Sequence, residues 1–409
     1  MKYRMIREFR TRIMAGTIIG AVAIVSGFSS PAMSQDDKPI KMGVFLSLTG
    51  PAAAGAAALK IGYDMAIKEI NEAGGIAGRQ IQAVYADEQG DPTVGVGEMK
   101  RLVFQEKVDV VVGNQNSQVN LAALPTLTEG KIASISDTGS ALLTVEAGPY
   151  HFSNLPSTAI QGQAIADYVV DVIGSKSPAL LYDDGAASKS GVEAIKEAFQ
   201  ARGVKLAGEQ QYKFHPADVT PQLLSLRRST PDLLVYYAGS PDDVGVVQKN
   251  KMEIGWDIQE LTSLVAAAVP QLAIKRAGPN AFDNTLAQTL TRFTYCESAG
   301  GGDADVVEFI KNVQEFAPGR GADADYFNVA NAYDAVYIFK QAIEATNSTD
   351  GPTLTEWLET NAGEIKGTIS AAKLSASKTN HFLVGPDSLT MVENPHERNE
   401  EGLQRRAGC

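Results

Sequence analysis

The chain alternates short apolar runs with longer segments whose apolar residues recur every three or four positions. The run 41–46 is followed by Thr49-Gly50-Pro51, which predicts a buried strand leading into a loop. Helical spacing follows over 52–71, and another strand is predicted at 81–85. The pattern continues with helices at 96–103 and 117–130 and with strands at 108–112 and 132–135. This alternation predicts an α/β fold in which helices cover both faces of a parallel sheet.

The same alternation restarts after Pro156. Its predicted helices and strands alternate over 158–173, 179–182, 190–202, 206–212, 219–229 and 233–237. A chain of 409 residues is long for a single hydrophobic core. Two similar blocks without a long linker therefore predict two lobes that meet at a cleft.

The first 34 residues are typical of a secretory signal peptide. A cationic start that contains Lys2 and Arg12 precedes the apolar run 13–28, and small residues precede Gln35. A membrane anchor is the alternative, but the run is short for a transmembrane span. We therefore predict export, with cleavage near Ser34/Gln35.

The composition excludes several functional classes. The chain is 44% hydrophobic and its net charge is −12, so it is neither a disordered nor a nucleic-acid-binding sequence. No nucleotide-binding loop, nucleophile elbow or zinc-protease motif occurs, and the four histidines lack metal-ligand spacing. We predict a protein that is not an enzyme and that holds no cofactor or metal ion.

Several short motifs, in a fixed order, carry a resemblance to a known family. They are Thr49-Gly50-Pro51, EINEAGGIAGR at 69–79, DEQGDP at 87–92, VVGNQNS at 111–117 and SDTGS at 136–140. From about Ile40 to Glu393 the chain resembles the type I periplasmic substrate-binding proteins of ABC transporters, in the branched-chain amino acid-binding (Leu/Ile/Val-binding) group. The resemblance implies a periplasmic location, a small-molecule ligand and the membrane permease subunits of an ABC transporter as partner.

The resemblance also implies a domain plan. Two Rossmann-like lobes with parallel sheets are expected, joined by three hinge crossings near residues 154, 290 and 366. Lobe 1 would comprise 35–154 and 290–365, and lobe 2 would comprise 155–289 and 366–394. Residues 395–409 are polar and are expected to form a loose C-terminal tail. A monomer is expected.

Two loops of the first lobe are candidates for binding a carboxylate. Each is expected to precede a helix, whose N-terminus offers unpaired N–H groups and partial positive charge. In relatives, the positions matching Ser117, Thr138 and Ser140 bind the solute carboxylate. Asn116 and Gly139 are adjacent candidates. Ser117 and Ser140 could instead be simple helix N-caps.

Both lobes depart from the amino acid-binding pattern. Relatives place large aromatic residues where this chain has Gly55, Ala187 and Ser240, and Ser188 follows Ala187 as a further candidate. The region expected to supply an acidic partner for an ammonium, 261–268, holds no carboxylate. Asp183, Asp184, Asp242 or Asp243 could substitute, or could be solvated or capping residues.

A wider cleft that keeps its carboxylate site but lacks an ammonium site favours an aromatic or otherwise hydrophobic acid. Tyr333, Tyr326 or Phe327 could stack on such a ligand or could pack in the core. The alternatives are a branched-chain or other amino acid-binding protein, and a ligand-sensing protein that reports to a receptor. The two cysteines, Cys296 and Cys409, either pair with each other or remain free thiols.

Overall fold

The computed structural model describes residues 38–50, 52–319 and 325–409. The predicted signal peptide lies outside these residues. Within them, no helix combines the length and apolarity that crossing a membrane requires.

The first sheet is parallel and has five strands in the spatial order β2-β1-β3-β4-β5. The strands are β1 (Ile40–Leu46), β2 (Ile81–Asp87), β3 (Val110–Val112), β4 (Ala133–Ser136) and β5 (His151–Ser153). The intervening helices are α1 (Ala53–Glu72), α2 (Pro92–Lys100), which continues as a π-helical turn over Arg101–Glu106, and α3 (Ser117–Gly130). Successive strand residues face opposite sides, so Val44 and Phe45 enter different hydrophobic cores.

The second sheet follows; one helix leads into it and five more join its first five strands. The strands are β6 (Pro178–Asp183), β7 (Gly208–Tyr212), β8 (Leu233–Tyr237), β9 (Glu260–Thr262) and β10 (Thr285–Leu290). The helices are α4 (Thr158–Asp167), extended by a π-helical stretch over Tyr168–Ile173, α5 (Ala186–Ala201), α6 (Thr220–Arg228), α7 (Pro241–Glu253), α8 (Leu264–Ala268) and α9 (Pro270–Ala277).

The rest of the chain packs helices into the core beside the first sheet, adds one strand to the second sheet and forms a small separate strand pair. In order come β11 (Thr294–Tyr295), α10 (Ala304–Phe316), α11 (Tyr326–Thr346), α12 (Gly351–Asn361), β12 (Leu389–Glu393) and β13 (Gln404–Arg405). Strand β12 joins the second sheet antiparallel to β10, and β11 pairs with β13. Helix α11 packs on α1 so closely that a Cβ on Gly62 would lie 2.1 Å from the carbonyl oxygen of Val329.

Both sheets have the same parallel topology. The order β7-β6-β8-β9-β10 in the second sheet repeats the order β2-β1-β3-β4-β5 in the first. In each sheet the connections reverse direction beside the first strand, between β1 and β3 or between β6 and β8. Such reversals leave a crevice at the carboxyl ends of the strands, which is where open α/β sheets bind ligands.

The chain returns to the second sheet later than expected. The segment 366–384 was expected in lobe 2, but Leu374, Leu383 and Val384 are buried in the core beneath the first sheet, and Phe382 pairs with Ser153. Apolar residues of this segment complete the first sheet's core, so its chain enters the second sheet only at Leu389. The assignment of other segments to two lobes stays a prediction.

The C-terminal segment is not the loose tail that its polar composition indicated. Leu403 and Gln404 are buried, and β13 lies beside β11. Cys409 forms a disulfide with Cys296, their Cα atoms being 5.4 Å apart. A polar sequence is ordered here because backbone pairing and a covalent link add to the packing of Leu403 in the core.

One predicted helix is missing. The loop at 137–140 was expected to precede a helix, but residues 141–150 form turns that lead to β5. Ser140 therefore does not cap a helix, and this loop offers no helix N-terminus to an anion.

Candidate functional site

A cavity of about 180 Å³ lies between the carboxyl ends of the two sheets. From the first sheet it is lined by residues that follow β1, β3 and β4, together with the start of α11. From the second sheet it is lined by residues that follow β6, β7, β8 and β9. The cavity thus occupies the crevice that the two strand orders create.

The loop after β3 places Ser117 at the cavity. Gly113 has φ of 119°, and a Cβ there would lie 2.3 Å from the carbonyl oxygen of Phe45, so this turn requires glycine. The side chain of Asn116 caps α3 by accepting hydrogen bonds from the N–H groups of Gln118 and Val119, at 3.0 and 3.3 Å. Because Asn116 is the cap, the Ser117 hydroxyl makes no hydrogen bond within the described part of the chain.

Asp137 lies beside this loop, directly after β4. Its backbone N–H donates to the carbonyl oxygen of Asn114 at 2.9 Å, and its Oδ1 accepts a hydrogen bond from Asn331 Nδ2 at 2.8 Å. Only 4% of the residue is exposed, and it lines the cavity. Burial raises the pKa of Asp137 well above its ordinary value, and the nearby charge of Asp325 adds to the effect.

Asp183, the last residue of β6, is also buried but is fully hydrogen-bonded. Its carboxylate accepts from the N–H groups of Gly185 and Gly239, both at 2.7 Å, and from the Ser188 hydroxyl at 2.5 Å. Burial raises the pKa of Asp183, while these three donors oppose the rise. The carboxylate therefore holds together the loops after β6 and β8.

One side of the cavity is apolar. After β9, the short helices α8 and α9 present their side chains to it, and aromatic rings from α11 and from the loop after β7 complete the surface. This apolar wall comprises Leu264, Val265, Ala268, Val269, Leu272, Phe214 and Phe327. Such a surface binds hydrocarbon or aromatic groups by excluding water from them.

Two small residues, Gly55 and Ala187, line the cavity. A Cβ on Gly55 would lie 2.5 Å from Gln115 Nε2, so Gln115 occupies the space beside this glycine. Ala187 lies in the first turn of α5, whose N-cap residue Gly185 makes no side-chain capping bond. The N-terminus of α5 therefore presents uncapped N–H groups beside the cavity, a favourable environment for negative charge.

Four of the predicted site residues line the cavity. They are Asn116, Ser117, Ala187 and Ser240. Ser240 also caps α7 by accepting from the N–H of Asp242 at 3.3 Å. Phe327 joins them as one of the three aromatic residues that could have stacked on a ligand.

The other five predicted residues lie elsewhere. Thr138 Oγ1 accepts from Asn120 Nδ2 at 2.9 Å, and Ser140 is fully buried. Gly139 packs against Gln161 and Pro156, and the Ser188 hydroxyl is bound to Asp183. These residues organise loops and do not line the cavity.

Tyr333 was a candidate for stacking on the ligand, but it does not line the cavity. Its hydroxyl donates to Glu69 Oε2 at 2.6 Å, and its ring stacks on Tyr337 with centroids 4.6 Å apart. Tyr326, the other tyrosine considered, is fully buried and its hydroxyl accepts from Gln314. Both tyrosines pack in the core of the first sheet.

Most of the aspartates considered as partners for a ligand ammonium already make hydrogen bonds or ion pairs within the protein. Asp184 accepts from the N–H of Phe214 at 2.8 Å, and Asp242 lies 3.3 Å from Arg276. Asp243 is fully buried 3.3 Å from His215 Nδ1, and burial together with the charge of Asp183 raises the pKa of Asp243 to about 7. Of the residues that the structure describes around the cavity, none is a lysine or an arginine.

Sequence reasoning missed several cavity residues. Asp137 was within a recognised motif, but its neighbours Thr138 and Ser140 were chosen because they match the family pattern. Much of the apolar wall comes from a stretch that the sequence analysis noted only for its lack of carboxylates. Its position directly after β9 is the signal that could have identified this stretch as part of the cavity. His215 follows β7 and had no distinguishing signal.

Three relatives illustrate what the chain resembles. Leu/Ile/Val-binding protein homolog 3 of Brucella melitensis biotype 1 is 28% identical over 339 residues, which cover 81% of this chain and 84% of that protein. The branched-chain amino acid transporter substrate binding protein LivJ of Streptococcus pneumoniae, solved in complex with isoleucine, matches with a TM-score of 0.74 at 20% identity over 90% of this chain and 97% of its own.

A solute binding protein of an ABC transporter from Rhodopseudomonas palustris BisB5, solved in complex with 3,4-dihydroxy benzoic acid, matches with a TM-score of 0.71 at 19% identity. The match covers 90% of this chain and 95% of that one. At these identities the solved structures show a shared fold, that of the type I periplasmic binding proteins. The family model described as periplasmic binding protein matches residues 39–394. The chain therefore belongs to the periplasmic binding protein family and has the type I fold.

Proposed function

We propose that this chain is the extracytoplasmic solute-binding component of an ABC uptake transporter and that it binds a small carboxylate with an aromatic or otherwise hydrophobic body. The division of the cavity into a polar end and an apolar wall carries this proposal. Ser117 and Asn116 belong to the polar end, and the helices α8 and α9 supply the wall. A solute with a charged end and a hydrocarbon body matches both.

The carboxylate would lie at the polar end, near the N-terminus of α3. The free hydroxyl of Ser117 donates to it, and the dipoles of α3 and α5 favour its negative charge. Its apolar body would contact Val265, Leu272 and Phe327. Ala187 leaves room where a large aromatic side chain would otherwise restrict the solute, whereas Gln115 takes the space beside Gly55.

An amino acid is the second candidate, and one observation favours it. Asp137 is a carboxyl group at the cavity that could accept a hydrogen bond from an ammonium. Leu/Ile/Val-binding relatives and the isoleucine complex of LivJ agree with this candidate. The dihydroxybenzoic acid complex agrees with the favoured one.

Binding would close the two sheets onto the solute. The chain passes between the sheets after β5, after β10 and before β12, and bending of these segments would bring the polar end and the apolar wall together. A ligand that contacts both sides stabilises the closed state over the open one. The closed form would then dock on the permease.

Identification of the solute tests this proposal. Native mass spectrometry of the protein purified from its own periplasm should detect a bound hydrophobic acid. In a thermal-shift panel, aromatic and branched aliphatic acids should raise the melting temperature more than leucine, isoleucine or valine. Selective stabilisation by those amino acids would contradict the favoured solute class and support the second candidate.

The transport role needs a separate test. A strain that lacks the gene should take up the identified solute more slowly than its parent. Normal uptake together with a lost transcriptional or motile response would favour the ligand-sensing alternative.

A further inference from the structure

Asp137 creates an electrostatic problem for the proposed solute. It shares the polar end of the cavity with Ser117, because its N–H donates to Asn114, whose side chain in turn accepts from the N–H of Asn116. An ionised Asp137 would repel a solute carboxylate bound there. The two anions would lie in a region where, among the described lining residues, no lysine or arginine offsets them.

The immediate surroundings of Asp137 do not stabilise a negative charge. Oδ1 has one donor, Asn331 Nδ2, and Oδ2 accepts no hydrogen bond from any described residue. The titratable groups that interact with it are Asp325 at the start of α11 and Tyr63 on α1, and neither supplies positive charge. Asp183, Asp242 and His215 line the opposite side of the cavity.

A protonated carboxyl removes the conflict. We propose that Asp137 binds the solute as a neutral acid, its Oδ2–H donating to a carboxylate oxygen of the solute, so that the bound complex retains one proton. Hydrogen bonds from a carboxylic acid to a carboxylate are short and strong because the acceptor is charged. Burial raises the pKa of Asp137 well above its ordinary value, which is consistent with this role.

This inference rests on the proposed function and makes it more specific. Asp137 would be the residue that distinguishes acids from amino acids. As a donor it favours a carboxylate, whereas an ionised Asp137 would favour an ammonium. The affinity for acids would also depend on pH, since the proton must be present for binding.

The isosteric variant Asp137→Asn separates these two roles. An asparagine amide can donate to a carboxylate as the neutral acid does, but it cannot carry the negative charge that an ammonium requires. Isothermal titration with 3-phenylpropanoate as probe is therefore expected to give Asp137→Asn an affinity within about threefold of wild type at low pH, and Asp137→Ala an affinity about tenfold to a hundredfold lower.

The pH profile gives the second readout. Wild-type affinity for 3-phenylpropanoate should fall as pH rises above the pKa of Asp137, approaching about tenfold per pH unit. The profile of Asp137→Asn should be flat over the same range. Asp325→Asn removes the neighbouring carboxyl that does not line the cavity, and it should keep the pH dependence. Circular dichroism of each variant checks that it is folded.

Three outcomes would overturn the inference. The neutral-acid role is refuted if Asp137→Asn binds 3-phenylpropanoate as weakly as Asp137→Ala, or if wild type binds it equally well at every pH; either result would leave the proposed solute class intact. If leucine binds wild type, loses its affinity in Asp137→Asn, and no acid binds, both the inference and the favoured solute class fail.

Discussion

Two buried aspartates at the cavity, Asp137 and Asp183, differ in how completely they are hydrogen-bonded. Asp183 accepts from three donors that belong to its own part of the structure. Asp137 accepts from Asn331 alone. A carboxylate that already accepts three hydrogen bonds has little capacity left for a ligand, whereas one that accepts a single hydrogen bond has more. Position at a strand end is therefore not enough to make a residue part of a binding site; unused hydrogen-bonding capacity is also required.

The largest expected effect is the loss of Asp183. In Asp183→Ala, two backbone N–H groups and the Ser188 hydroxyl lose a buried acceptor, so the free energy of unfolding should fall by about 2–4 kcal/mol. Asp137→Ala, the matched control, should cost about 1 kcal/mol or less because only one donor is affected. Urea denaturation of both variants measures the difference. Equal losses would show that the two aspartates have the same structural role.

The pH dependence of stability is the next test. Burial raises the pKa of Asp325 to about 7, and burial with the charge of Asp183 raises the pKa of Asp243 to about 7. A raised pKa means that the folded state holds its protons more tightly. These groups therefore stabilise the fold fully below about pH 4, and their contribution is lost as pH rises through about 7.

Each such group changes the free energy of unfolding by up to about 1.4 kcal/mol per pH unit. Urea denaturation between about pH 5 and about pH 8 should show a decline that is shallower in Asp325→Asn, on the side of Asp137, and in Asp243→Asn, on the side of Asp183. If the wild-type free energy of unfolding rises over this pH range, the buried environments assigned to Asp325 and Asp243 are contradicted.

Ser117 and Ser140 provide a smaller but sharper contrast. Ser117→Ala should weaken binding of a hydrophobic acid by about tenfold, since a donor to a charged group is lost. Ser140→Ala should leave affinity unchanged because this residue is fully buried away from the cavity. Isothermal titration of both variants measures the difference. A larger loss of affinity in Ser140→Ala than in Ser117→Ala would contradict this interpretation.

The apolar wall should show the smallest effect. Val265→Thr preserves shape but places a hydroxyl against the solute body, so affinity should fall by about three- to fivefold. Val307→Thr makes the same change on α10, outside the cavity, and should not alter affinity. A polar solute would bind Val265→Thr as well as or better than wild type, and that result would exclude a hydrophobic body at this wall.

Much of the fold could be predicted because hydrophobic periodicity reports burial directly. The helix at 117–130 and the strand at 233–237 have the predicted bounds. The placement of the segment 366–384 and of the C-terminal segment could not be predicted, because it depends on contacts with residues that are distant in the sequence. Phe382 pairs with Ser153 and Cys409 bonds to Cys296, contacts that local pattern does not encode.

The site was predictable only in part. Ser117 was found from its place between a strand and a helix, and it does line the cavity. Thr138 and Ser140 match positions that bind the carboxylate in relatives, but the direction of each side chain depends on the turns that follow β4. An apolar wall made of ordinary aliphatic residues cannot be distinguished from core by sequence alone.

The nature of the solute is tested most directly by compounds that differ only in the ammonium group. Isothermal titration of wild type with 4-methylpentanoate against leucine, and with 3-phenylpropanoate against phenylalanine, compares acids and amino acids of the same skeleton. We expect each acid to bind at least about tenfold more tightly than its amino acid, because an ammonium at the polar end has no ionised partner there. Tighter binding of leucine and phenylalanine than of their deaminated counterparts would contradict this account.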